Sequence, residues 1–347
     1  MPEFAHISRR AWLSTAMAAA LPGSVQAAAS KGNPAATLPF RIYAVTFRGR
    51  TDVEKGFEEH FAARKIPVEI TYRDLNRDPT RLPAVLDEIR AVRPDLIYTF
   101  GTSVTLGVVG TYDAPNRSAY INDIPVVFTL VASATLAKIV ASDTSSQRNV
   151  TGVMHVAPTE AQMQAMAAYR PYQRLGVLYT QSEKNSVVTL DQIRKLGRSR
   201  NFDTIERMFR VDASRKPTAD GAADLVREIK EGGAQWLYLP PDSFLGTVAQ
   251  DVVIPAAMEM GLPTFASTEQ LMQAGALSGL VSRYYSVGQF TGHKAEQILL
   301  RKKTAAEIPV ETLKRFSYQV RLAAAAKLKL PPPLPMFSYA ELVGEAV

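Results

Sequence analysis

Asp95-Leu96-Ile97-Tyr98-Thr99-Phe100 runs directly into Gly101-Thr102-Ser103, and this junction sets the fold class. The run follows Pro94, is apolar on both faces and stops at a glycine, as a strand covered by helices does in a parallel sheet. Before it, residues 82–92 carry helical periodicity and end ahead of Pro94, which disfavours helix in the residue before it. After it, residues 104–112 are expected to be helical. Working outward, strands are expected at 41–46, 68–72 and 124–128. A helix is expected at 53–63, where Val53, Phe57 and Phe61 recur every four residues on one face. Strands alternating with helices in this way predict an α/β doubly wound sheet.

The alternation starts again after residue 157. Helices are expected at 160–169, 187–200, 220–230, 248–260 and 289–300. Strands are expected at 175–179, 204–211, 236–239, 264–266 and 279–281. Two βα arrays of similar size predict two doubly wound lobes. Ligands of open α/β sheets sit outside the carboxyl ends of the strands, so two such lobes offer two facing rims. The first rim is Phe47-Arg48-Gly49-Arg50, Gly101-Thr102-Ser103 and Thr129-Leu130-Val131-Ala132. The second is residues 180–186, Pro240-Pro241-Asp242-Ser243 and Ser267-Thr268-Glu269. Hydroxyls, helix starts and isolated charges at these rims suit a cleft for a small polar molecule. Phe47, Tyr179, Phe244, Tyr284 and Tyr285 are candidate stacking faces for a flat ligand, with core packing as the alternative.

The amino terminus assigns a compartment. Ser8-Arg9-Arg10-Ala11-Trp12-Leu13 is a twin-arginine start, followed by an apolar run at 16–21 and Val25-Gln26-Ala27, a small-residue cleavage pattern. Residues 1–27 are therefore expected to be a removable export signal that delivers a periplasmic protein. The Ser/Gly/Pro/Ala-rich segment 28–38 is expected to be a linker. The 347 residues include no cysteine, which removes disulfides, thiol nucleophiles and thiolate metal sites together. The formal charge of +7 is mild, and no basic run or recognition motif points to nucleic acid.

Enzyme chemistry finds little support. Gly101-Thr102-Ser103-Val104-Thr105 is not the Gly-x-Ser-x-Gly nucleophile elbow. His60, His155 and His293 are widely spaced and lack metal-ligand spacing. The sequence predicts a non-enzyme with no cofactor and no metal.

At the rims the chain resembles a known family. Phe100-Gly101-Thr102-Ser103, Ile124-Pro125-Val126-Val127-Phe128 and Asn149-Val150-Thr151-Gly152-Val153 are the first matching segments. Ser182-Glu183-Lys184-Asn185-Ser186, Tyr238-Leu239-Pro240-Pro241-Asp242, Pro263-Thr264-Phe265-Ala266-Ser267 and Tyr284-Tyr285-Ser286-Val287-Gly288 follow in order. The set resembles ABC-transporter substrate-binding proteins of the tryptophan/tyrosine-binding type, which have the type I, LacI-like bilobal fold. The resemblance implies one lobe from 39–153 plus 287–315, a second from 154–286 plus 316–330, a tail at 331–347, and a three-strand hinge. It implies a monomer that captures an amino-acid-like or carboxylate-bearing solute and delivers it to a membrane ABC permease. A receptor feeding a membrane sensor is the alternative.

The resemblance also distributes roles. Asn185 and Ser186 would receive a ligand carboxylate, Asp242 a ligand ammonium, and Thr102 and Ser103 would complete the cage; helix capping is the alternative for each. Thr129, Tyr179, Glu269, Arg48 and Tyr284 complete the candidate set. The chain departs from the family at Ser243, Thr268, Arg283 and Arg321, so the cleft is expected to be less anionic. Arg48, Arg50 and Arg283 could favour an acidic or neutral ligand, or else lie on the surface or bridge the lobes.

Overall fold

The computed structural model describes residues 38–344; the export signal expected at 1–27 lies outside them. The first sheet is laid down by β1 (Phe40–Thr46), α1 (Asp52–Arg64), β2 (Val68–Asp74), α2 (Leu82–Val92), β3 (Leu96–Phe100), α3 (Gly101–Val109), β4 (Val126–Val131) and β5 (Val150–Met154). The second is laid down by α4 (Thr159–Tyr169), β6 (Arg174–Tyr179), α5 (Lys184–Arg200), β7 (Asp203–Met208), α6 (Ala222–Glu231) and β8 (Trp236–Leu239), then α7 (Leu245–Val248), α8 (Ile254–Glu259), β9 (Thr264–Ala266), α9 (Glu269–Gln273) and β10 (Ser278–Val281). The chain then returns through α10 (Tyr284–Leu299) and β11 (Glu311–Thr312), and ends with β12 (Ser317–Arg321), α11 (Leu322–Leu328) and β13 (Glu341–Val343).

Strand order is β2-β1-β3-β4-β5-β11 in one sheet and β7-β6-β8-β9-β10-β12-β13 in the other. The first five strands of each follow the same 2-1-3-4-5 winding, all parallel. Among the strands of the described residues, only β10 and β12 pair antiparallel. Such a sheet reverses its winding between its first and third strands, which opens a crevice at their carboxyl ends. Both sheets therefore place a crevice at corresponding positions, beside β1/β3 and beside β6/β8.

The chain passes between the sheets three times, at 155–158, 282–283 and 313–316. Val156 and Val281, on two of these passages, pair as an isolated antiparallel bridge. The carboxyl-terminal segment is part of the second sheet: β13 pairs parallel with β12, Val320 opposite Leu342. Among the described residues no helix is long and apolar enough to cross a membrane.

Differences from the sequence reading have local causes. Helix α3 begins at Gly101, with no loop after β3, because Gly101 takes φ +77° and turns the chain at once. The helix expected over 248–260 is broken by a π turn at Ala249–Val253, next to Pro255, which lacks the N–H that a continuous ladder needs. Strand β7 ends at Met208, and Val211 forms only an isolated bridge with Pro217. Strands β11 and β13 are two and three residues long, too short to carry a period.

Helix α10 returns to the first sheet and packs on α1. Gly56 and Gly288 lie at the crossing: a Cβ on Gly288 would come within 1.9 Å of the Val53 carbonyl oxygen, and one on Gly56 within 2.1 Å of that of Tyr285. Both obstacles are backbone, so neither can rotate away. Gly288→Ala is expected to cost about 1–3 kcal/mol or more, read as a lower denaturation midpoint at unchanged denaturant slope.

Candidate functional site

The two crevices face each other across a cavity that is partly open to solvent. From the first sheet it takes Arg48 after β1, Phe100 to Thr102 at the β3–α3 junction, and Leu130 in β4. The second sheet gives Asn185 in α5, Pro241 to Ser243 after β8, and Thr268 with Gln270. His155 comes from the passage after β5 and Tyr284 from the first turn of α10. Leu130 is held at φ +50° where the β4/β5 register shifts. A non-glycine residue in the left-handed region at a cavity wall is backbone strain located at the site.

Arg48 is the cation of this cavity. Its guanidinium lies 5.2 Å from the centroid of the Phe100 ring and donates through Nη1 to Gln270 Oε1 of the opposite lobe. Gln270 Nε2 in turn donates to the Gly246 carbonyl at 2.9 Å. No carboxylate of the described residues pairs with Arg48, although many of their other arginines and lysines have one. A guanidinium has five N–H donors, and Gln270 occupies one. The group is pinned by stacking and by a bond across the cleft, with donors to spare.

Asp242 faces the same cavity but is already engaged. It accepts from the backbone N–H of Thr180 at 2.8 Å, Thr180 Oγ1 at 3.1 Å, the backbone N–H of Leu245 at 2.8 Å, and Ser186 Oγ. Four donors fill the lone-pair sites of one carboxylate. These bonds tie the loop after β6, the start of α5 and the loop after β8 into one rim. Ser186 is fully buried, and its hydroxyl donates to Asp242. Burial raises the Asp242 carboxyl even against these hydrogen bonds.

Glu183, at the N-cap of α5, lies behind this rim. Burial first, and then the charge of Asp242, push its carboxyl up to about 7. An ordinary glutamate titrates near 4.3. Between those values the folded state keeps a proton that the unfolded chain releases, so this group costs stability as pH rises, fully so above 7. Glu183→Gln is expected to raise the denaturation midpoint at pH 8 and leave it unchanged at pH 4; equal effects at both would show that its charge is irrelevant.

His155 is buried, with Nδ1 3.3 Å from the Val131 carbonyl oxygen. A carbonyl only accepts, so Nδ1 carries the proton and Nε2 keeps a lone pair. Burial, opposed by the bond to Val131 and aided by Arg48, lowers its pKa to about 4. The ring is neutral at physiological pH and offers an acceptor. Tyr284 packs on it edge to face, centroids 6.0 Å apart.

The structure therefore brings Arg48, Thr102, Asn185, Asp242 and Tyr284 of the candidate set to one cavity. The others lie elsewhere. Ser103 is exposed on α3. Thr129 is buried beneath the rim, with Thr291 Oγ1 3.2 Å from its own. Tyr179 packs into the core of the second sheet. Glu269 accepts from the backbone N–H of Tyr284 at 2.5 Å and from Arg283 at 3.4 Å, so it caps α10 across the passage between lobes. Arg283 also bonds Glu341, Arg50 pairs with Glu58, and Arg321 donates to the Met272 carbonyl at 2.5 Å; none of the three lines the cavity. Of the other aromatic candidates, Phe47 and Phe244 pack on the cores and Tyr285 bonds Glu59. The sequence reading missed Phe100 and Gln270 as site residues. Phe100 was legible from its place at the strand end. Gln270 was not, because its partner Arg48 is 222 residues away.

Known proteins share this architecture. The profile of the family described as ABC transporter substrate binding protein matches residues 45–340. A tyrosine-binding protein of Clostridioides difficile is 24% identical over 247 residues, 71% of this chain; the match spans 66% of that protein's length, just under two thirds. A conserved domain protein of Vibrio cholerae superposes with a TM-score of 0.76 at 19% identity, covering 87% of this chain and 99% of that one. An ABC domain in complex with L-Trp from Streptococcus pneumonia gives 0.75 at 18% identity, covering 88% and 99%. With the family profile spanning nearly all of the described residues and the two lobes wound alike around one cleft, the chain belongs to the ABC transporter substrate-binding proteins, with the type I periplasmic binding fold.

Proposed function

We propose that the cleft captures a small carboxylate-bearing solute, of amino-acid type, and that Arg48 is its anchor. The observation that carries this reading is a guanidinium at the cavity with no carboxylate partner, held by Phe100 and Gln270. Bidentate pairing of guanidinium with carboxylate is the strong charge-assisted geometry. Asn185 of the second lobe offers an amide to the same ligand, and Phe100, Leu130, Pro241 and Tyr284 supply apolar surface for its side chain. The names of two relatives, a tyrosine-binding protein and a domain bound to L-Trp, favour an aromatic amino acid. With Asp242 saturated, a ligand ammonium finds its acceptors in His155 Nε2 and the Ser243 and Thr268 hydroxyls.

Arg48 and Gln270 belong to opposite lobes, so the ligand that engages Arg48 also favours the closed arrangement, by its differential affinity for that state. The closed outer face is then read by a membrane ABC permease. The protein works as a monomer, without catalysis, in the periplasm after export through the signal at 1–27. A thermal-shift screen of amino acids, acids lacking an amine, and sugars tests the ligand class, since a ligand that binds only the folded protein raises its melting point. A hit among sugars alone, with none among carboxylates, would overturn it.

A further inference from the structure

Outside the cleft, where α1 packs on α10, three side chains with metal-ligating atoms meet. A ring nitrogen of His60, one of His293 and a carboxylate oxygen of Glu296 all lie within 4.8 Å of one another. His293 and Glu296 are one turn apart on the same face of α10. His60 belongs to α1 and stands 236 residues from Glu296 in the chain, so no spacing in the sequence announces the group. The helix crossing sets the geometry. A Cβ on Gly292 would come within 2.8 Å of the His60 Cβ, and the bare backbone there lets the His60 side chain lie against α10. Phe290 stacks on the His293 ring, centroids 6.4 Å apart.

His60 Nε2 lies 2.9 Å from Glu296 Oε2. Two ligands on a tetrahedral zinc ion sit about 3.3 Å apart, given bonds of about 2.0–2.1 Å. An ion therefore takes the place of the proton between these two atoms with little movement. Gln297 Nε2 lies 2.8 Å from His293 Nε2; an amide N–H only donates, so that nitrogen carries a lone pair. His293 is exposed and Gln297 is half-buried, which leaves the ring room to turn and the amide room to give way.

Cations stand beside the group, and their placement matters. Arg64 Nη2 and Lys302 Nζ both donate to Glu296 Oε1 at 3.1 Å, which leaves Oε2 to His60. Their side chains are 58% and 53% exposed, so water screens their charge. A metal-ligating carboxylate is ordinarily hydrogen-bonded in its turn, and these two groups fill that place. Lys294 points away, to the Pro309 carbonyl and Glu311.

We propose that His60, His293 and Glu296 form a binding site for a divalent transition-metal ion of zinc type, with the fourth position left to water. Two imidazoles and a carboxylate are a zinc donor set, whereas magnesium and calcium take oxygen donors. The ion ties α1 to α10 and shares no residue with the cleft at Arg48.

The test is calorimetric titration of the untagged full chain, stripped with chelator, with zinc chloride and, separately, with magnesium chloride. Wild type and Arg48→Ala are both expected to bind zinc with the same affinity and to bind no magnesium. Loss of even an outer partner of a metal ligand costs about 10- to 100-fold in affinity, so His60→Ala and His293→Ala are each expected to lose at least that. Because His293 is exposed, His293→Ala is expected to melt like wild type without metal, and to lose the rise in melting point that zinc gives wild type. Arg64→Gln, which removes one competing charge, is expected to bind zinc at least as tightly as wild type. No zinc binding to wild type, zinc affinity unchanged in His293→Ala, or magnesium bound as tightly as zinc would overturn the assignment.

Discussion

Asp242→Ala is expected to destabilise the protein by about 3 kcal/mol or more, and to do so with or without ligand. The carboxylate satisfies two backbone N–H groups and two hydroxyls at a buried position. Truncation leaves the Thr180 and Leu245 N–H groups with no acceptor, and each orphaned buried donor costs about 1–3 kcal/mol. Asp242→Asn cannot rescue this, because its amide would turn an N–H₂ toward donors. Both variants are expected to lose ligand affinity indirectly, since Asn185 sits beside Ser186 on the rim that Asp242 ties together. Chemical denaturation of the ligand-free protein separates this account from the expectation based on family resemblance. A variant of wild-type stability that loses ligand alone would show Asp242 to be a free acceptor for the ligand.

Arg48→Ala has the largest expected effect on binding. Losing the cation from a partly buried carboxylate pair is worth about 2–4 kcal/mol, or roughly 30- to 1,000-fold in Kd. The variant also loses the bond between lobes, so a control is needed. Gln270→Leu removes that bond and leaves the cation, and is expected to weaken ligand by no more than about tenfold. Arg48→Lys keeps the charge without the planar fork or the stacking on Phe100, and is expected to fall between. If Gln270→Leu matches Arg48→Ala, the arginine acts as a latch and not as an anchor.

Much of the fold was legible because its signals are local. Helix α2 and strands β8 and β9 stand at the residues that their periodicity and flanking prolines indicate. The rims were legible because an α/β chain places its loops at strand ends. What the sequence withheld was pairing at long range. The protein partners of Asp242 were not legible, because its donors come from residues 180, 186 and 245. Glu269 looked like a rim acid, but the N–H of Tyr284, at the start of α10, donates to it. Thr129 has the right place in the chain and the wrong face of the strand: it turns inward to Thr291. The segment after residue 330 read as a tail because a three-residue edge strand has no pattern of its own, and β12 gives β13 its place.

The central claim is that a carboxylate is held between the lobes by Arg48. Calorimetric titration of wild type and Arg48→Ala with L-tyrosine, with the matched acid lacking the amine, and with tyramine tests it most directly. The account predicts that L-tyrosine or its deaminated acid binds, that tyramine does not, and that Arg48→Ala removes the binding. Tyramine binding in place of the acids, or carboxylate affinity unchanged in Arg48→Ala, would contradict it.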